Sequence, residues 1–473
     1  MKISTSLAFL MACTAATAQT KTVEIPLENP VTDYRFPEQG GVYLQFGKAR
    51  PSPMAASSNK KAFVYDQGLD LKQDYDLTAI TFGLDAIILP DGKLAGFYKI
   101  VSRDAAGHEG LYLTAKDKEY NSISGKDSQG PLKEVFTKIN TDKYQVDFGM
   151  KIRRNASNAL AGSDASDVYL YRTEIATRQS KLIKIEFPVD QFMLGLKSFQ
   201  YHSHDNEKVF FLLNKIAEDG SCAATLASFD YDGRLIDNIP FNITLANNQR
   251  MMPMNRSRHY VYTVTKGGIN RQAAVDASVI NSKFDATHSK FYVYGIFGAD
   301  ANDMNSATGY YIYAYDLQGH LLWKKEAVLA GTDKKKGSFA ARDWFALHNL
   351  PGGKIAFWCQ KFHDDPTFFY IINGQTGQIE KEKMNQLSGV DQDNFHKGSN
   401  VIGMANSSVF IGKDDKTLVD MPAAFAYSML PDAEKQINGR SGSKFAAGIT
   451  PKGLYIIEEN EKEKKCMLRR FEL

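Results

Sequence analysis

The chain has little cysteine, and the cysteines it has are poorly placed for cross-linking or for binding metal. Its 473 residues include Cys13, Cys222, Cys359 and Cys466. Because Cys13 lies in an apolar leader, three remain, so at most one disulfide can form within the chain. None of these is closely paired with another, as the ligands of a structural zinc site are. We therefore expect each to pack as a small apolar side chain.

Neither sign of charge is in excess, and long apolar runs are missing. The chain carries 57 Lys and Arg against 54 Asp and Glu, for a formal net charge of +3. It therefore lacks the basic field that attracts nucleic acid or an anionic membrane. No segment approaches the roughly eighteen uninterrupted apolar residues of a membrane-spanning helix. We expect no nucleic-acid partner and no transmembrane segment.

Common catalytic signatures are also absent. The sequence has no Gly-x-Ser-x-Gly nucleophile elbow and no Gly-rich phosphate loop leading into a helix. No motif brings a Ser, a His and an Asp together. Whether the chain is an enzyme stays open, with the absences favouring a non-catalytic protein, and no cofactor is predicted.

What is present begins with an export signal. Met1-Lys2 is followed by the apolar run 7–12 and the small-residue triplet Ala16-Thr17-Ala18, the order typical of a secretory signal peptide. We expect cleavage before Gln19 and a periplasmic or extracellular protein. The alternative is a lipid anchor, because Leu10-Met11-Ala12-Cys13 is similar to a bacterial lipobox.

The stretch 343–383 predicts four β-strands in succession. The predicted strands are residues 344–350, 354–360, 367–373 and 378–383. Pro351-Gly352-Gly353 and Gly374-Gln375-Thr376-Gly377 supply the turns, since glycine permits the positive φ that tight hairpins require. Phe, Tyr, Ile and Trp between the turns suit a pleated, half-buried surface.

Other parts of the chain repeat these turns. Pro90-Asp91-Gly92-Lys93 matches Pro351-Gly352-Gly353-Lys354, and Asp230-Tyr231-Asp232-Gly233 matches Asp316-Leu317-Gln318-Gly319. In such turns the Asp carboxylate bonds nearby amides while Gly takes the positive φ. Two turn types in a fixed order indicate one reused four-stranded unit, which is the blade of a β-propeller.

The repeats predict an all-β chain of about seven four-stranded antiparallel blades, with six or eight as alternatives. The second strands of the blades are expected near Lys93, Tyr144, Lys208, Lys290, Lys354, Ser408 and Gly453. The last unit is one strand short, and the lone strand 22–27 can complete it, which removes an exposed sheet edge. The predicted organisation is a signal peptide (1–18), a closing strand plus an irregular segment (19–76) and the propeller (77–473).

Ala314, Asp316, Gly319 and Trp323 follow the order of the quinoprotein repeat, although the spacing is one residue short and the usual Thr is missing. The chain thus resembles the broad class of WD-like and quinoprotein-like propellers. This resemblance implies the fold and no particular activity.

The antiparallel order also groups the loops, because the second-to-third-strand loops and the links between blades must share one end. The candidate ligand-binding residues on that end are Arg103, His108, Asp300, Asp303 and His396. The candidate catalytic residues are His363, Asp364, Asp365, Arg153 and Arg154. An imidazole beside carboxylates can act as a general base or hold a metal. Ordinary solvated turns are the alternative for all of them.

Two further patterns suit metal ions. His202 and His204 lie on one face of a strand and could chelate a metal with Asp205. The oxygen-rich run 300–305 could hold calcium, although it lacks the alternating acids of an EF-hand. The favoured alternatives are a histidine pair that holds no metal and ordinary turn chemistry in the run 300–305.

The sequence therefore predicts an exported, non-catalytic propeller that binds a protein, a peptide or a glycan through one face. The alternative is a propeller hydrolase or lyase that acts on polysaccharide or peptide.

The leader yields the first testable prediction. Protein secreted by a bacterial host should begin at Gln19, because signal peptidase cuts after small residues. N-terminal sequencing and intact mass check this, with Cys13→Ser as the control. A mature protein that begins at an acylated Cys13, and a Cys13→Ser variant that is not processed, would instead establish the lipid anchor.

Overall fold

The structure is a computed structural model, and it describes most of the chain after residue 20. The described residues are 21–48, 58–77, 85–88, 94–104, 107–116, 119–126, 134–151, 167–177, 179–185, 199–216, 222–246, 249–252, 260–265, 268–273, 280–299, 306–330, 345–361, 365–389, 408–411, 417–438, 440, 442–460 and 462–472.

The first strand, β1 (Lys21–Pro26), precedes blade 1 in the sequence and belongs to the last sheet. Blade 1 consists of β2 (Val31–Arg35), β3 (Val42–Lys48), β4 (Ser58–Tyr65) and β5 (Leu71–Asp76). Blade 2 consists of β6 (Asp85–Ile88), β7 (Leu94–Asp104), β8 (Gly107–Lys116) and β9 (Glu119–Lys126). Blade 3 consists of β10 (Glu134–Asn140), β11 (Tyr144–Lys151), β12 (Asp167–Glu174) and β13 (Ser180–Ile185).

Three more blades follow. Blade 4 consists of β14 (Phe199–His204), β15 (Lys208–Ile216), β16 (Cys222–Asp230) and β17 (Leu235–Ile243). The link to blade 5 contains β18 (Arg250–Met251), β19 (Tyr260–Thr265) and β20 (Gly268–Ala273). Blade 5 consists of β21 (Asn281–Asp285), β22 (Lys290–Gly298), β23 (Ala307–Asp316) and β24 (Leu321–Val328). Blade 6 consists of β25 (Ala346–Leu350), β26 (Lys354–Cys359), β27 (Thr367–Asn373) and β28 (Ile379–Asn385).

The last sheet contains both ends of the chain, and we call it the closing sheet. Its later elements are β29 (Ser388–Gly389), β30 (Ser408–Ile411), β31 (Thr417–Asp420), the helices α1 (Met421–Met429) and α2 (Pro431–Ile437), then β32 (Lys444–Thr450), β33 (Gly453–Asn460) and β34 (Lys465–Phe471). The strand order is β1-β34-β33-β32-β31-β30-β29. Val23 pairs with Leu468, so the predicted closure by the first strand is confirmed.

Hydrophobic clusters join the successive sheets from blade 3 through the closing sheet to blade 1. One cluster combines Val31 and Leu44 of blade 1 with Leu468 of the closing sheet. Others join the closing sheet to blade 6, blade 6 to blade 5, blade 5 to blade 4, and blade 4 to blade 3. Blade 2 contacts blade 1 where Leu94 N donates to Gln73 Oε1 at 3.2 Å. Cys222, Cys359 and Cys466 lie buried in these clusters, as expected for small apolar side chains.

The all-β propeller of four-stranded antiparallel blades is confirmed. Six blades, an alternative that the sequence left open, consist of four consecutive strands each, and the closing sheet completes the ring. The irregular segment predicted before residue 77 is wrong, because residues 31–76 form all of blade 1. The second blade strand predicted near Ser408 is also wrong, because β30 belongs to an insert ahead of β32.

The turns between the third and fourth strands of blades 4, 5 and 6 contact the preceding blade. Asp230 Oδ1 accepts from the amides of Asp232 and Arg234, and Asp316 Oδ1 accepts from those of Gln318 and His320. This is the turn chemistry that the sequence predicts.

The turn glycines lie directly against the preceding blade. Gly233, Gly319 and Gly377 have φ of 82°, 84° and 73°. A Cβ at Gly377 would lie 2.6 Å from the ring of Trp323. Trp323 Nε1 also donates to Gly374 O at 3.0 Å. These glycines therefore allow both the turn and its docking.

This locking gives a stability prediction. Gly352→Ala should cost about 1 kcal/mol, the usual cost of a left-handed conformation, because its φ is 72° and nothing lies within 4 Å of the added methyl group. Gly377→Ala, at a φ of 73°, should cost roughly 1–3 kcal/mol more, because Trp323 must move. Denaturant unfolding measures both, and equal losses in the two variants would contradict the docking role.

Candidate functional site

Charged and imidazole side chains from non-adjacent blades meet at the centre of the ring. Lys283 Nζ of β21 lies 3.0 Å from Glu38 Oε1, in the turn between β2 and β3. Blades 1 and 5 are not neighbours, so this ion pair crosses the axis. We call Glu38, Lys283, His204 and His348 the axial cluster.

The turn that carries Glu38 is shaped to reach the axis. Residues 36–41 form the longest of the first-to-second-strand turns whose bounds the structure gives. Gly40 and Gly41 have φ of 88° and 99°, a conformation that glycine adopts without steric cost. The Phe36 ring stacks on Tyr455 at 6.3 Å. It occupies the space left by Gly448, where a Cβ would lie 2.0 Å from that ring.

Two histidines lie beside this ion pair. His204 Nε2 is 3.3 Å from Asn140 O, and burial lowers the His204 pKa, although Glu38 and Asp205 oppose the shift. The His348 ring stacks on Trp358 at 4.9 Å. Its enclosure between the blades, together with the charge of Lys283, lowers the His348 pKa to about 3. His348 is therefore neutral at physiological pH.

A second group of polar residues lies where blade 5 meets blade 6. Buried Asp285 accepts from His288 Nδ1 at 2.9 Å and from the His288 amide at 3.2 Å. Lys290, 4% exposed, donates to Gly374 O at 2.7 Å. Burial lowers the Lys290 pKa, and Asp285 opposes that shift. A carboxylate that orients an imidazole is one part of a general base, but Asp285 here also closes the turn 286–289, to which we assign the pair.

The metal prediction at His202, His204 and Asp205 stays a prediction. The side chain of His202 lies outside the described residues. Asp205 Oδ1 accepts from the amides of Glu207 and Lys208, at 2.7 and 2.8 Å. In the part of the chain that the structure describes, no three His, Cys, Asp or Glu side chains are grouped to hold a metal ion.

Most of the other predicted site residues lie outside the described residues. These are Arg153, Arg154, Asp300, Asp303, His363, Asp364 and His396, and the calcium prediction at 300–305 falls among them. Arg103 and His108 are described by backbone alone and are paired across the β7–β8 hairpin. Asp365 is buried at 1% exposure, so its side chain does not face solvent.

Sequence reasoning missed the axial ion pair and the whole turn that carries Glu38. The local signal was the pair Gly40-Gly41, which marks a turn after the short apolar-polar alternation 31–36. Nothing in the sequence indicated that Lys283 would be its partner.

Comparisons with known proteins add the fold and nothing finer. No family model matches the chain, and no curated protein matches it. Solved structures with a similar fold include hydrazine synthase of Kuenenia stuttgartiensis, at 9% identity and a TM-score of 0.33, covering 94% of this chain and 97% of that one. The WD40 domain of SCAP from fission yeast matches at 8% identity and a TM-score of 0.35, covering 96% and 98%. The polysaccharide lyase Uly1 matches at 8% identity and a TM-score of 0.37, covering 94% and 91%.

None of the described helices is long and apolar enough to cross a membrane.

The axial cluster predicts a measurable coupling. In a double-mutant cycle of Glu38→Gln and Lys283→Gln, the two changes should couple by about 0.5 kcal/mol at low salt, and less at high salt, because the pair is partly exposed. Lys283→Gln should also raise the His348 pKa, which histidine NMR follows.

The control is the pair Lys61 and Glu28, 3.6 Å apart and more exposed, whose cycle should show weaker coupling. An unchanged His348 titration in Lys283→Gln would contradict the axial arrangement.

Proposed function

We propose that this chain is an exported, non-catalytic propeller that binds a protein, a peptide or a glycan through the end of the ring that carries its long connections. One observation carries the proposal: every long connection whose bounds the structure gives leaves from the same end. We call this end the loop face and the opposite end the turn face.

The asymmetry follows from the strand bounds. On the turn face the described connections are tight, and the longest is the turn 36–41. The long connections on the loop face are 152–166, 186–198, 244–280, 329–345 and 386–443. In repeat proteins, insertions accumulate on one face, often the binding face, because loops tolerate change there while the sheets hold the scaffold.

Contacts within the ring occupy much of the turn face. Gly233, Gly319 and Gly377 dock on the preceding blades, and Glu38 and Lys283 join opposite sides. Because the turn face is used for contacts that hold the blades together, the loop face is the better candidate for ligand binding.

The sequence of the long connections suits a polar ligand. Residues 152–166 include Arg153 and Arg154, and residues 331–344 include Lys334, Lys335 and Lys336. Guanidinium, ammonium and amide groups bind the carboxylates and hydroxyls of peptides and glycans. They therefore support a hydrogen-bonding ligand more than an apolar one.

The proposal is tested on purified mature protein with glycan and peptide arrays. A ligand found this way should bind at least tenfold more weakly when residues 153–164 or 332–341 are replaced by Gly-Ser linkers, because Arg153 and Arg154, or the three lysines 334–336, are then removed. Thermal unfolding of the variants checks that the ring is intact.

The matched control changes the turn face. Arg234→Ala and Gln375→Ala remove exposed side chains there and should leave affinity within twofold. Loss of binding in these variants, with no loss in the linker variants, would place the site on the turn face and contradict the proposal. Cleavage of an array ligand would favour the hydrolase or lyase alternative instead.

A further inference from the structure

A buried carboxylate joins the helical insert to the closing sheet. Asp420 ends β31, and its side chain is the N-cap of α1, with Oδ1 accepting from Ala423 N at 2.8 Å. The same carboxyl group accepts from Ala447 N of β32, with both oxygens at 3.2 Å. Asp420 thus continues the short parallel pairing of β31 with β32, in which only Leu418 and Val419 have partners.

The insert that Asp420 anchors packs between blade 6 and the closing sheet. Phe425 of α1 packs on Trp358 and Phe369 of blade 6, with ring centroids 5.9 and 6.1 Å apart. The Lys381 ammonium donates to Met429 O at the other end of α1. Phe445 and Ala447 of β32 belong to the same core cluster as α1. The junction of blade 6 with the closing sheet therefore depends on how firmly α1 is held.

The Asp420 carboxyl group accepts hydrogen bonds from two backbone amides, and among the described residues it forms no ion pair. Of the titratable side chains that the structure describes, Tyr34 of β2 faces it, and Asp33 lies beside Tyr34. Two amides replace only part of the hydration that an ionised carboxylate loses on burial. The negative charge is therefore costly in the docked state and is relieved when the insert opens to water.

We propose that Asp420 is a proton-controlled anchor, which holds α1 and α2 against the closing sheet when protonated and releases them more often when ionised. This inference concerns the insert itself and does not depend on the proposed ligand face.

The direction of the effect follows from linkage. Burial raises the Asp420 pKa from 3.8 to about 7, while the Ala423 and Ala447 amides oppose the shift. Since the docked state binds the proton more tightly than the opened state, docking weakens as pH rises from about 4 and the loss is complete above about 7. Between pH 6 and pH 8 the opening equilibrium should increase roughly tenfold.

Hydrogen exchange measured by mass spectrometry tests this on the mature protein. After correction for intrinsic rates, peptides from 421–437 should lose about tenfold in protection between pH 6 and pH 8, while the β27 peptide 367–373 keeps its protection. If the two regions respond equally, or if 421–437 does not respond, the anchor is disproved without any variant.

Variants separate the carboxyl group from the rest of the site. Asp420→Asn keeps an oxygen that can cap α1 but cannot ionise, so protection of 421–437 should become independent of pH. The matched control is Asp316→Asn, a turn aspartate that also accepts two amides but is solvent-accessible, and it should leave the pH response intact. A pH response that survives in a folded Asp420→Asn protein would overturn the proposal.

Discussion

The pairing of β1 with β34 is the contact on which the ring depends. Described blades such as blades 4, 5 and 6 bury their faces against two neighbours, so a row of blades that did not close would leave an apolar face and an open sheet edge at either end. Six register pairs, from Lys21 with Arg470 to Pro26 with Lys465, join the first strand to the last. The cluster that contains Ile25, Leu44 and Leu468 then joins this sheet to blade 1. The antiparallel pairing of β1 with β34 therefore completes both the closing sheet and the ring.

The second constraint is the docking of the turns between third and fourth strands of blades 4, 5 and 6 on the preceding blade. Gly319 serves two purposes: it adopts the positive φ of the turn, and its missing side chain leaves room for Ile239 of the preceding blade. Exposed apolar side chains follow these turns at Leu235, Leu321 and Ile379, where the fourth strands begin. The turn face thus combines rigid contacts with little freedom to change, whereas the long connections leave from the loop face, and one of them, 386–443, contributes α1 to the core between blade 6 and the closing sheet.

Much of the fold could be predicted because the turns carry local chemistry. The run 343–383 gave four strands whose bounds agree with β25 to β28 to within two residues. Blade 1 was missed because its turn lacks the expected order, although Tyr65-Asp66 and Leu71 match Tyr315-Asp316 and Leu321. There Leu69, with φ 60°, takes the left-handed position that Gly319 holds in blade 5.

The candidate site was less predictable, because it depends on contacts between distant blades. Glu38 and Lys283 are 245 residues apart, and no local pattern relates them. The helices α1 and α2 were missed for a different reason: they lie in a link between blades, where the repeat no longer constrains the chain.

The closure by β1 also bears on how the chain is made. A ribosome synthesises β1 first and β34 last, so the first strand has no partner until nearly the whole chain has been synthesised. Non-local pairing of this kind forms slowly, and an unpaired strand edge can join the wrong chain in the meantime. The ring therefore cannot close before β34 has been synthesised.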